Sequence, residues 1–326
     1  MKAMVLAAGL GTRLRPATDV VPKPLFPVLG IPVVEWAIAG LRQAGVTEAI
    51  VNLHHCGAAI ARRLGDGRHL GVALAYSEEP TILGTGGALA AARSFLHGDG
   101  GFFLHNADIF TDWDLAAVRE GHDRLGGVAT LALYDGASPR ESRRVEVGQS
   151  GDVVGLRGRP VCGDGPRYVY TGVSILTSSL FDVLPPTGAS CLVEDGLIPM
   201  LSNGGRVAGI LQEGLFCDIG TTESYLSLQW EVFPRAGELF LARGMEPPRE
   251  IAPGVLVTGS PSIAAGAVLE GPVLLCDGVR VEAGANVGPR AILGANSVVS
   301  AGARIANAVV FEGVVVSGPA AGIIVV

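Results

Sequence analysis

A glycine-rich turn followed by cations is the first part of the chain that could do chemistry. Gly9 and Gly11 are separated by one residue, and Arg13, Arg15 and Lys23 follow shortly afterwards. Glycines allow backbone N–H groups to approach a phosphate chain closely, and arginine and lysine neutralise its charge. The pattern therefore predicts binding of a polyphosphate.

Three other interpretations of these residues are weaker. A dinucleotide fingerprint requires a third glycine where this chain has Leu14, and an acidic residue about 20 positions later, where it has Pro24-Leu25-Phe26-Pro27. A P-loop requires a G-x-x-x-x-G-K-[ST] motif, which the sequence lacks. A signal peptide requires a small-residue cleavage site, but the opening apolar residues run directly into Gly11-Thr12-Arg13.

Acidic side chains supply the second kind of chemistry. Asp108 follows the apolar run Phe102–His105, which reads as a strand. An acid at the carboxyl end of a parallel strand faces the ligand crevice and offers Mg²⁺ a hard oxygen ligand. His54 and His55 are a poorer metal site, because adjacent residues on a strand point to opposite faces.

The elements that must position these residues alternate between strand and helix. The short apolar run 3–7 predicts a buried strand, and residues 33–44 have helical spacing and end before Gly45. Strand and helix patterns continue to alternate as far as His105. This order predicts an α/β fold with a doubly wound, mainly parallel, Rossmann-like sheet, which binds ligands beyond the carboxyl ends of its strands.

The C-terminal part of the chain repeats with a period of six. Every sixth residue from Ile251 to Phe311 is apolar, which is typical of a left-handed parallel β-helix of about 3.7 coils. Many such domains are acyltransferases that use a histidine base, but none of the six histidines lies in this repeat. We therefore expect a packing element that forms a homo-oligomer, with the apolar end 320–326 as a candidate interface.

Composition restricts the remaining possibilities. The 326 residues carry a formal net charge of −7, which disfavours nucleic acid as a partner, and Gly, Pro and charged residues interrupt every apolar stretch that could span a membrane. Five widely spaced cysteines without a C-x-x-C motif indicate reduced thiols and a cytoplasmic protein. We expect a catalytic domain over 1–230, a linker over 231–250, the β-helix over 251–317 and a tail over 318–326.

The opening motif also resembles that of a known family. LAAGLGTRLRP followed by PKPLFPV resembles the signature of the sugar-1-phosphate nucleotidyltransferases. The resemblance implies transfer of a nucleotidyl group from an NTP to a sugar 1-phosphate, with release of pyrophosphate and with Mg²⁺ as cofactor. It implies catalytic roles for Arg13 and Lys23, and for Asp108 and Asp218 as metal ligands. It further implies nucleotide contacts from residues of two segments: Leu6, Ala7, Ala8, Gly9, Gly11, Thr12, Arg13, Gly84, Thr85, Gly86 and Gly87.

The resemblance is weaker on the sugar side. Relatives carry F-x-E-K-P, with its lysine on the sugar phosphate, where this chain has Gly155-Leu156-Arg157-Gly158-Arg159-Pro160. Arg159 is the candidate replacement, and Lys23 of the opening motif is a separate candidate for contact with the sugar phosphate. Thr171 and Gly172 match the substrate-side T-G strand of the family, and Glu194 is a further sugar-contact candidate.

The base and the sugar remain open at this stage. The LGTGGAL segment and the terminal repeat together most resemble mannose-1-phosphate guanylyltransferases, which predicts GTP and mannose 1-phosphate. Uridylyl or thymidylyl transfer to another hexose, amino-sugar or heptose 1-phosphate is the alternative. A catalytically silent subunit that senses an NDP-sugar is the alternative from another class, although such proteins usually lose a loop arginine, the lysine or a metal aspartate.

Overall fold

A computed structural model describes residues 1–98, 100–136, 144–159 and 165–326 of the chain. The chain divides into two compact units. The first unit contains Met1–Gly9 and Val34–Asp218, and the second contains Leu10–Val33 and Ile219–Val326. Most of the glycine-rich turn and the cations after it therefore belong to the second unit, together with the C-terminal repeat.

Thirteen strands are described as far as Asp218. They are β1 (Lys2–Leu6), β2 (Pro27–Val28), β3 (Ile31–Pro32), β4 (Glu48–Leu53), β5 (Ala73–Glu78), β6 (Phe102–Asn106), β7 (Ile109–Thr111), β8 (Ala129–Tyr134), β9 (Arg144–Val147), β10 (Val153–Leu156), β11 (Arg167–Leu176), β12 (Val207–Gln212) and β13 (Phe216–Asp218).

The α-helices are α1 (Ala17–Val20), α2 (Val33–Gln43), α3 (Gly57–Leu64), α4 (Gly84–Ala91), α5 (Arg93–Leu96), α6 (Leu115–Leu125), α7 (Ile198–Ser202), α8 (Thr222–Val232) and α9 (Ala236–Ala242). Short 3₁₀ turns include Thr12–Leu14 and Lys23–Leu25, and a π-helix covers Leu192–Leu197. None of the helices in the described ranges has the length and apolar character needed to cross a bilayer.

A mixed sheet forms the centre of the first unit. Strands β5, β4, β1 and β6 are parallel neighbours in that order, and β11 joins β6 antiparallel. Beyond β11 the sheet continues through β8 to β12, with β9 and β10 branching from β11. The parallel strands β5, β4, β1 and β6 are the part of the sheet that the alternating strand and helix patterns predict. The predicted Rossmann-like α/β fold is confirmed, with an antiparallel β11 in its middle.

The helix predicted over 33–44 is α2, and the strand predicted over 3–7 is β1. These agreements follow from regular apolar spacing, which decides the element. Helix α4 begins at Gly84, so the glycines of the LGTGGAL segment lie in its first turn.

The repeat folds as a parallel β-helix. Its strands follow β14 (Arg249–Ala252) and are β15 (Val255–Val257), β16 (Ser262–Ile263), β17 (Val268–Leu269), β18 (Val273–Leu275), β19 (Arg280–Val281), β20 (Asn286–Val287), β21 (Ala291–Leu293), β22 (Val298–Val299), β23 (Arg304–Ala306), β24 (Ala308–Val310), β25 (Val315–Val316), β26 (Ala320–Ala321) and β27 (Ile324–Val325). They stack into three sheets, β15-β18-β21-β24-β27, β16-β19-β22-β25 and β17-β20-β23-β26.

The period of six ends before Phe311. Leu275 pairs with Leu293 in register, but Leu293 pairs with Val310 and not with Phe311. The side of the coil between Ile305 and Val310 is therefore one residue shorter than the sides before it. Phe311 lies one residue beyond the strand and does not take the position that Leu275 and Leu293 share.

Candidate active site

The turn at Gly11 packs against the segment that carries Lys23. Gly11 has φ +63°, and a Cβ there would lie 3.0 Å from Cγ2 of Thr18 and 3.4 Å from Cβ of Lys23. The hydroxyl of Thr18 donates to the Gly11 carbonyl at 3.1 Å. Only glycine suits both the left-handed backbone and this close approach. The second unit therefore brings the glycine turn and Lys23 together.

Arg13 lies on the 3₁₀ turn Thr12–Leu14, exposed to solvent, beside another glycine. A Cβ on Gly220 would lie 2.8 Å from Nη1 of Arg13. Gly220 belongs to the second acidic motif, Asp218-Ile219-Gly220-Thr221, which the sequence places far from Arg13. A side chain at position 220 would therefore displace the Arg13 guanidinium from its place beside this motif.

One short ladder brings together the backbone at the two aspartates that the family resemblance singles out. Strand β13 pairs antiparallel with β7, and Asp218 is opposite Ile109. Asp108 immediately precedes Ile109, so it is a diagonal neighbour of Asp218 at the start of this ladder. Both residues are partly buried. This pairing unites two motifs that are distant in the sequence.

The remaining residues of the first segment surround the end of β1. Leu6 is the last residue of that strand, Ala7 and Ala8 are buried, and Gly9 and Thr12 are exposed. No atom outside the neighbouring residues lies within 4 Å of a Cβ built on Gly9. Gly9 therefore leaves open space where a ligand could approach the backbone.

A buried polar network, which the sequence analysis missed, fixes the end of β1. The side-chain oxygen of Asn52 accepts from the Ala7 N–H at 2.8 Å, and its amide donates to Oε1 of Glu79 at 2.7 Å. Oε2 of Glu79 accepts from the Leu83 N–H at 3.0 Å. Asn52 and Glu79 are only 3% exposed. The network joins the two segments assigned to the nucleotide, and a polar residue inside the otherwise apolar strand β4 was its only signal.

The glycines of the second segment are required for packing. Cβ atoms on Gly84 and Gly86 would lie 2.6 Å from the carbonyl oxygen and the hydroxyl of Ser190, respectively. The Gly86 and Gly87 amides donate to the Ser190 carbonyl at 2.9 and 3.4 Å, and Thr85 Oγ1 accepts from the Leu192 N–H. Gly84 and Thr85 are exposed, whereas Gly86 and Gly87 are buried. The backbone N–H groups of the buried pair therefore bond within the protein, which leaves Gly84 and Thr85 as the residues of this segment that a ligand could reach.

Two arginines converge on Glu194 at the site expected for the sugar. Leu156 and Arg159 exchange hydrogen bonds of 2.8 and 3.0 Å across Arg157 and Gly158, whose φ values are +54° and +72°. This is the geometry of a type I′ hairpin, which explains why a glycine occupies position 158. Arg157 donates to Glu194 at 2.8 Å, and Arg159 forms an ion pair with the other carboxylate oxygen. Pro160 lies outside the described residues.

Glu194 belongs to the π-helix Leu192–Leu197, a rare element that is frequent at functional sites. The side chains of Arg157, Arg159 and Glu194 are 31%, 58% and 30% exposed, so solvent or a ligand can reach the ion pairs. Sequence reasoning found Arg159 and Glu194 but missed Arg157.

Thr171 and Gly172 lie at an irregularity in β11, where its register with β8 shifts. Gly172 has φ +87°, and a Cβ there would overlap the side chain of Asn106. The Thr171 hydroxyl donates to the Ala132 carbonyl at 2.8 Å and is completely buried. The hydroxyl of Thr171 thus stabilises the bulge, which makes a direct contact with sugar from this side chain unfavourable.

Two carboxylates suit a magnesium ion that acts with phosphates. Mg²⁺ is usually held by one or two carboxylates together with water and substrate phosphates, rather than by a complete set of protein ligands. Across the described ranges, no cluster of three or more His, Cys, Asp or Glu residues could hold a metal by itself. The neighbouring pair Asp108 and Asp218 fits the first kind of site.

Comparison with known proteins also indicates a nucleotidyltransferase. The family model described as "Nucleotidyl transferase" matches residues 2–233. N-acetylmuramate alpha-1-phosphate uridylyltransferase of Neisseria meningitidis serogroup B is 36% identical over 225 residues, which cover 68% of this chain and 94% of that protein. Mannose-1-phosphate guanylyltransferase of Mycobacterium tuberculosis is 28% identical over 315 residues, covering 96% of this chain and 80% of the relative.

Among solved structures, HddC from Yersinia pseudotuberculosis complexed with GMP-PN superimposes with a TM-score of 0.57 at 21% identity. The alignment covers 71% of this chain and 98% of HddC. At this identity the similarity concerns the fold.

Proposed function

Because this chain belongs to the nucleotidyl transferase family, we propose that it transfers the guanylyl group of GTP to mannose 1-phosphate. The coarser activity is that of a sugar-1-phosphate nucleotidyltransferase, which joins an NTP and a sugar 1-phosphate into an NDP-sugar and releases pyrophosphate. Both substrates are anionic, so the protein must neutralise charge and align the attacking oxygen with the α-phosphorus.

The loop residues would hold the triphosphate. The backbone at Gly9 and Gly11 and the hydroxyl of Thr12 would approach the phosphates, and the exposed guanidinium of Arg13 would stabilise the leaving pyrophosphate. Lys23 would neutralise the phosphates at the reacting centre. Its side chain is only 7% exposed, which favours a fixed charge over a mobile surface one.

Asp108 and Asp218 would hold Mg²⁺. When bound, the ion would neutralise phosphate charge. The two carboxylates would hold the ion at the reacting phosphates. Their adjacent positions on the β7–β13 ladder support this assignment.

The two arginines near Glu194 would hold the sugar phosphate. Guanidinium groups bind phosphate in a bidentate manner, so Arg159, with Arg157 beside it, could replace the lysine of the family motif. Glu194 keeps both arginines in place by its ion pairs and could contact a sugar hydroxyl.

The LGTGGAL segment and the terminal repeat carry the choice of GTP and mannose 1-phosphate, because together they most resemble mannose-1-phosphate guanylyltransferases. The guanylyltransferase relative covers 96% of this chain, but a UTP--glucose-1-phosphate uridylyltransferase of Synechocystis also covers 96%, so coverage alone does not select the base. The higher identity of the N-acetylmuramate alpha-1-phosphate uridylyltransferase, 36%, favours UTP and N-acetylmuramate 1-phosphate as the second candidate.

A substrate panel tests these proposals. Pyrophosphate release would be measured with GTP, UTP, dTTP, ATP and CTP against mannose, glucose and N-acetylmuramate 1-phosphates, and products identified by mass spectrometry. The proposal expects the highest kcat/KM with GTP and mannose 1-phosphate. A higher value for UTP with N-acetylmuramate 1-phosphate would replace it by the second candidate. No turnover with any pair, together with tight NDP-sugar binding, would indicate a regulatory subunit.

We also propose a cytoplasmic homo-oligomer that assembles through the β-helix. The last strand, β27, pairs with β24, and the neighbouring Ile323 and Val326 are 43% and 37% exposed. Exposed apolar side chains of this kind can contact a second chain. Analytical ultracentrifugation of the wild type and of an Ile323→Lys variant would test this proposal. We expect an oligomer for the wild type and a smaller species for the variant, and a monomeric mass for both proteins would refute it.

A further inference from the structure

The segment that carries Lys23 is anchored within the β-helix unit. Phe26 is completely buried, and its ring packs edge-to-face on Tyr225 of α8 and on Phe311, with centroid distances of 5.4 and 5.1 Å. Phe311 occupies this place because the shorter coil side moves it out of the strand register. In a regular hexapeptide frame, the side chain at position 311 would face the interior of the coil. The shorter side instead places the Phe311 ring against Phe26.

The backbone next to Phe26 is held by hydrogen bonds from α8. The Pro27 carbonyl accepts from the Tyr225 hydroxyl at 2.6 Å and from the Gln229 amide at 2.8 Å, and the Gln229 oxygen accepts from the Leu29 N–H at 3.0 Å. Tyr225 and Gln229 are completely buried. Burial raises the pKa of the Tyr225 hydroxyl well above its usual value, so this group remains a donor.

A second contact with the β-helix fixes the tip of the hairpin between β2 and β3. Leu29 and Gly30 form its turn with φ values of +49° and +82°. A Cβ on Gly30 would overlap the sulfur of Cys276, which directly follows β18. Cys276 and Phe311 occupy equivalent corners of different coils, since each follows the last residue of a strand in the same sheet. Two corners of the β-helix therefore contact this one segment.

The anchored residues are connected to Lys23 by a short rigid turn. Lys23–Leu25 is a 3₁₀ turn in which the Phe26 N–H donates to the Lys23 carbonyl at 3.0 Å. The Phe26 carbonyl in turn accepts from the Val33 N–H at 2.9 Å. A shift of Phe26 or Pro27 would consequently displace the backbone of Lys23.

We propose that α8 and the β-helix are positioning elements of the reaction, in which Tyr225, Gln229 and Phe311 hold Phe26-Pro27 and thereby fix Lys23. This inference rests on the proposed role of Lys23 in neutralising the reacting phosphates. It assigns the β-helix a task in catalysis that requires neither acyltransferase chemistry nor a partner subunit.

The test removes the hydrogen bonds from α8 to Pro27 and Leu29 by substitutions that should preserve the fold. Gln229→Leu deletes both contacts of the amide at nearly constant volume, and Tyr225→Phe deletes one donor. A displacement of about 1 Å in a reacting group can lower the rate about 100-fold. We expect kcat per folded molecule to fall about 10- to 100-fold in Gln229→Leu and less in Tyr225→Phe, with smaller changes in KM. Val281→Ala, a truncation of a buried residue on β19 away from the corners at Cys276 and Phe311, is the matched control and should lower Tm but keep kcat.

A double-mutant cycle identifies the residue through which Gln229 acts. In a Lys23→Ala background, the further change Gln229→Leu should lower kcat less than twofold, because the displaced group is already absent. Equal losses in both backgrounds, or unchanged kcat in both Gln229→Leu and Tyr225→Phe, would overturn the positioning role and leave the proposed function intact. Wild-type kcat in Lys23→Ala would overturn the proposed role of the lysine and this inference with it. Should Gln229→Leu fail to fold, Tyr225→Phe takes its place in the cycle.

Discussion

Replacing Asn52 by leucine should damage the end of β1 and the nucleotide segment together. The substitution leaves the N–H of Ala7 without its acceptor and removes the amide that donates to Glu79. Ala7 is only 2% exposed and Glu79 only 3%, so water cannot replace either partner. An orphaned buried backbone donor costs about 1–3 kcal/mol. Glu79 keeps its hydrogen bond from the Leu83 N–H, so the loss of one of its two donors costs about 1–2 kcal/mol, and the total is about 2–5 kcal/mol.

Thermal unfolding measures this loss. For a unit of this size, each kcal/mol lowers Tm by about 2–4 °C, which gives about 4–20 °C for Asn52→Leu. Asn203→Leu, which changes an exposed asparagine after α7, is the control and should stay within about 2 °C of the wild type. Because Ala7 and Leu83 flank the proposed nucleotide contacts, KM for the NTP should also rise.

A partner substitution separates the two costs. In a Glu79→Met background there is no buried carboxylate to lose its donor, so Asn52→Leu should lower Tm by only the part due to Ala7. Equal shifts in both backgrounds would show that Asn52 and Glu79 do not interact energetically. A shift in Asn52→Leu no larger than in the Asn203 control would refute the reasoning altogether.

Three further predictions concern the metal site and two buried groups. Asp218→Asn should fold with an unchanged Tm but lose kcat by at least about 100-fold with Mg²⁺, whereas Asp114→Asn, which replaces one N-cap of α6 by another, should keep normal activity; near-normal turnover of the first variant would contradict the metal assignment. Burial lowers the pKa of His122, so the folded protein should lose stability as the pH falls below about 6.5, where the unfolded chain takes up the proton first; Tm between pH 7 and 5 should fall more steeply in the wild type than in His122→Gln, and parallel curves would argue against this. Burial raises the pKa of the Cys276 thiol to about 12, so the native protein should resist alkylation there at pH 8 and react only on unfolding, as peptide mass spectrometry would detect; stability should also decline above about pH 9, where only the unfolded thiol ionises.

Much of the architecture followed from local patterns. The apolar run of β1, the helical spacing of α2 and the hexapeptide period each reflect which side chains face a core, and a period of this kind is visible without the partner. The motif residues Gly11 and Asp108 were likewise recognisable, because a turn and a strand end place particular demands on single positions.

The contacts of these residues depended on chain segments that the patterns do not relate. The LGTGGAL glycines pack against the protein because Ser190 lies next to them. Arg157 lies near Arg159 because both arginines form ion pairs with Glu194. These are long-range pairings, in which packing and electrostatics decide between environments that the local sequence leaves equivalent.

By itself, the sequence determined the two kinds of fold, and it predicted polyphosphate binding at the opening loop and metal binding at the two aspartates. Only the tertiary structure decided that this loop belongs to the same compact unit as the β-helix, and that Phe311 leaves the strand register to contact Phe26. The physical reason is that the apolar period of a repeat reflects only the residues that face the interior of the coil. The shortening of one coil side by one residue, and the side chain that it turns outward, depend instead on the segment that packs against that corner.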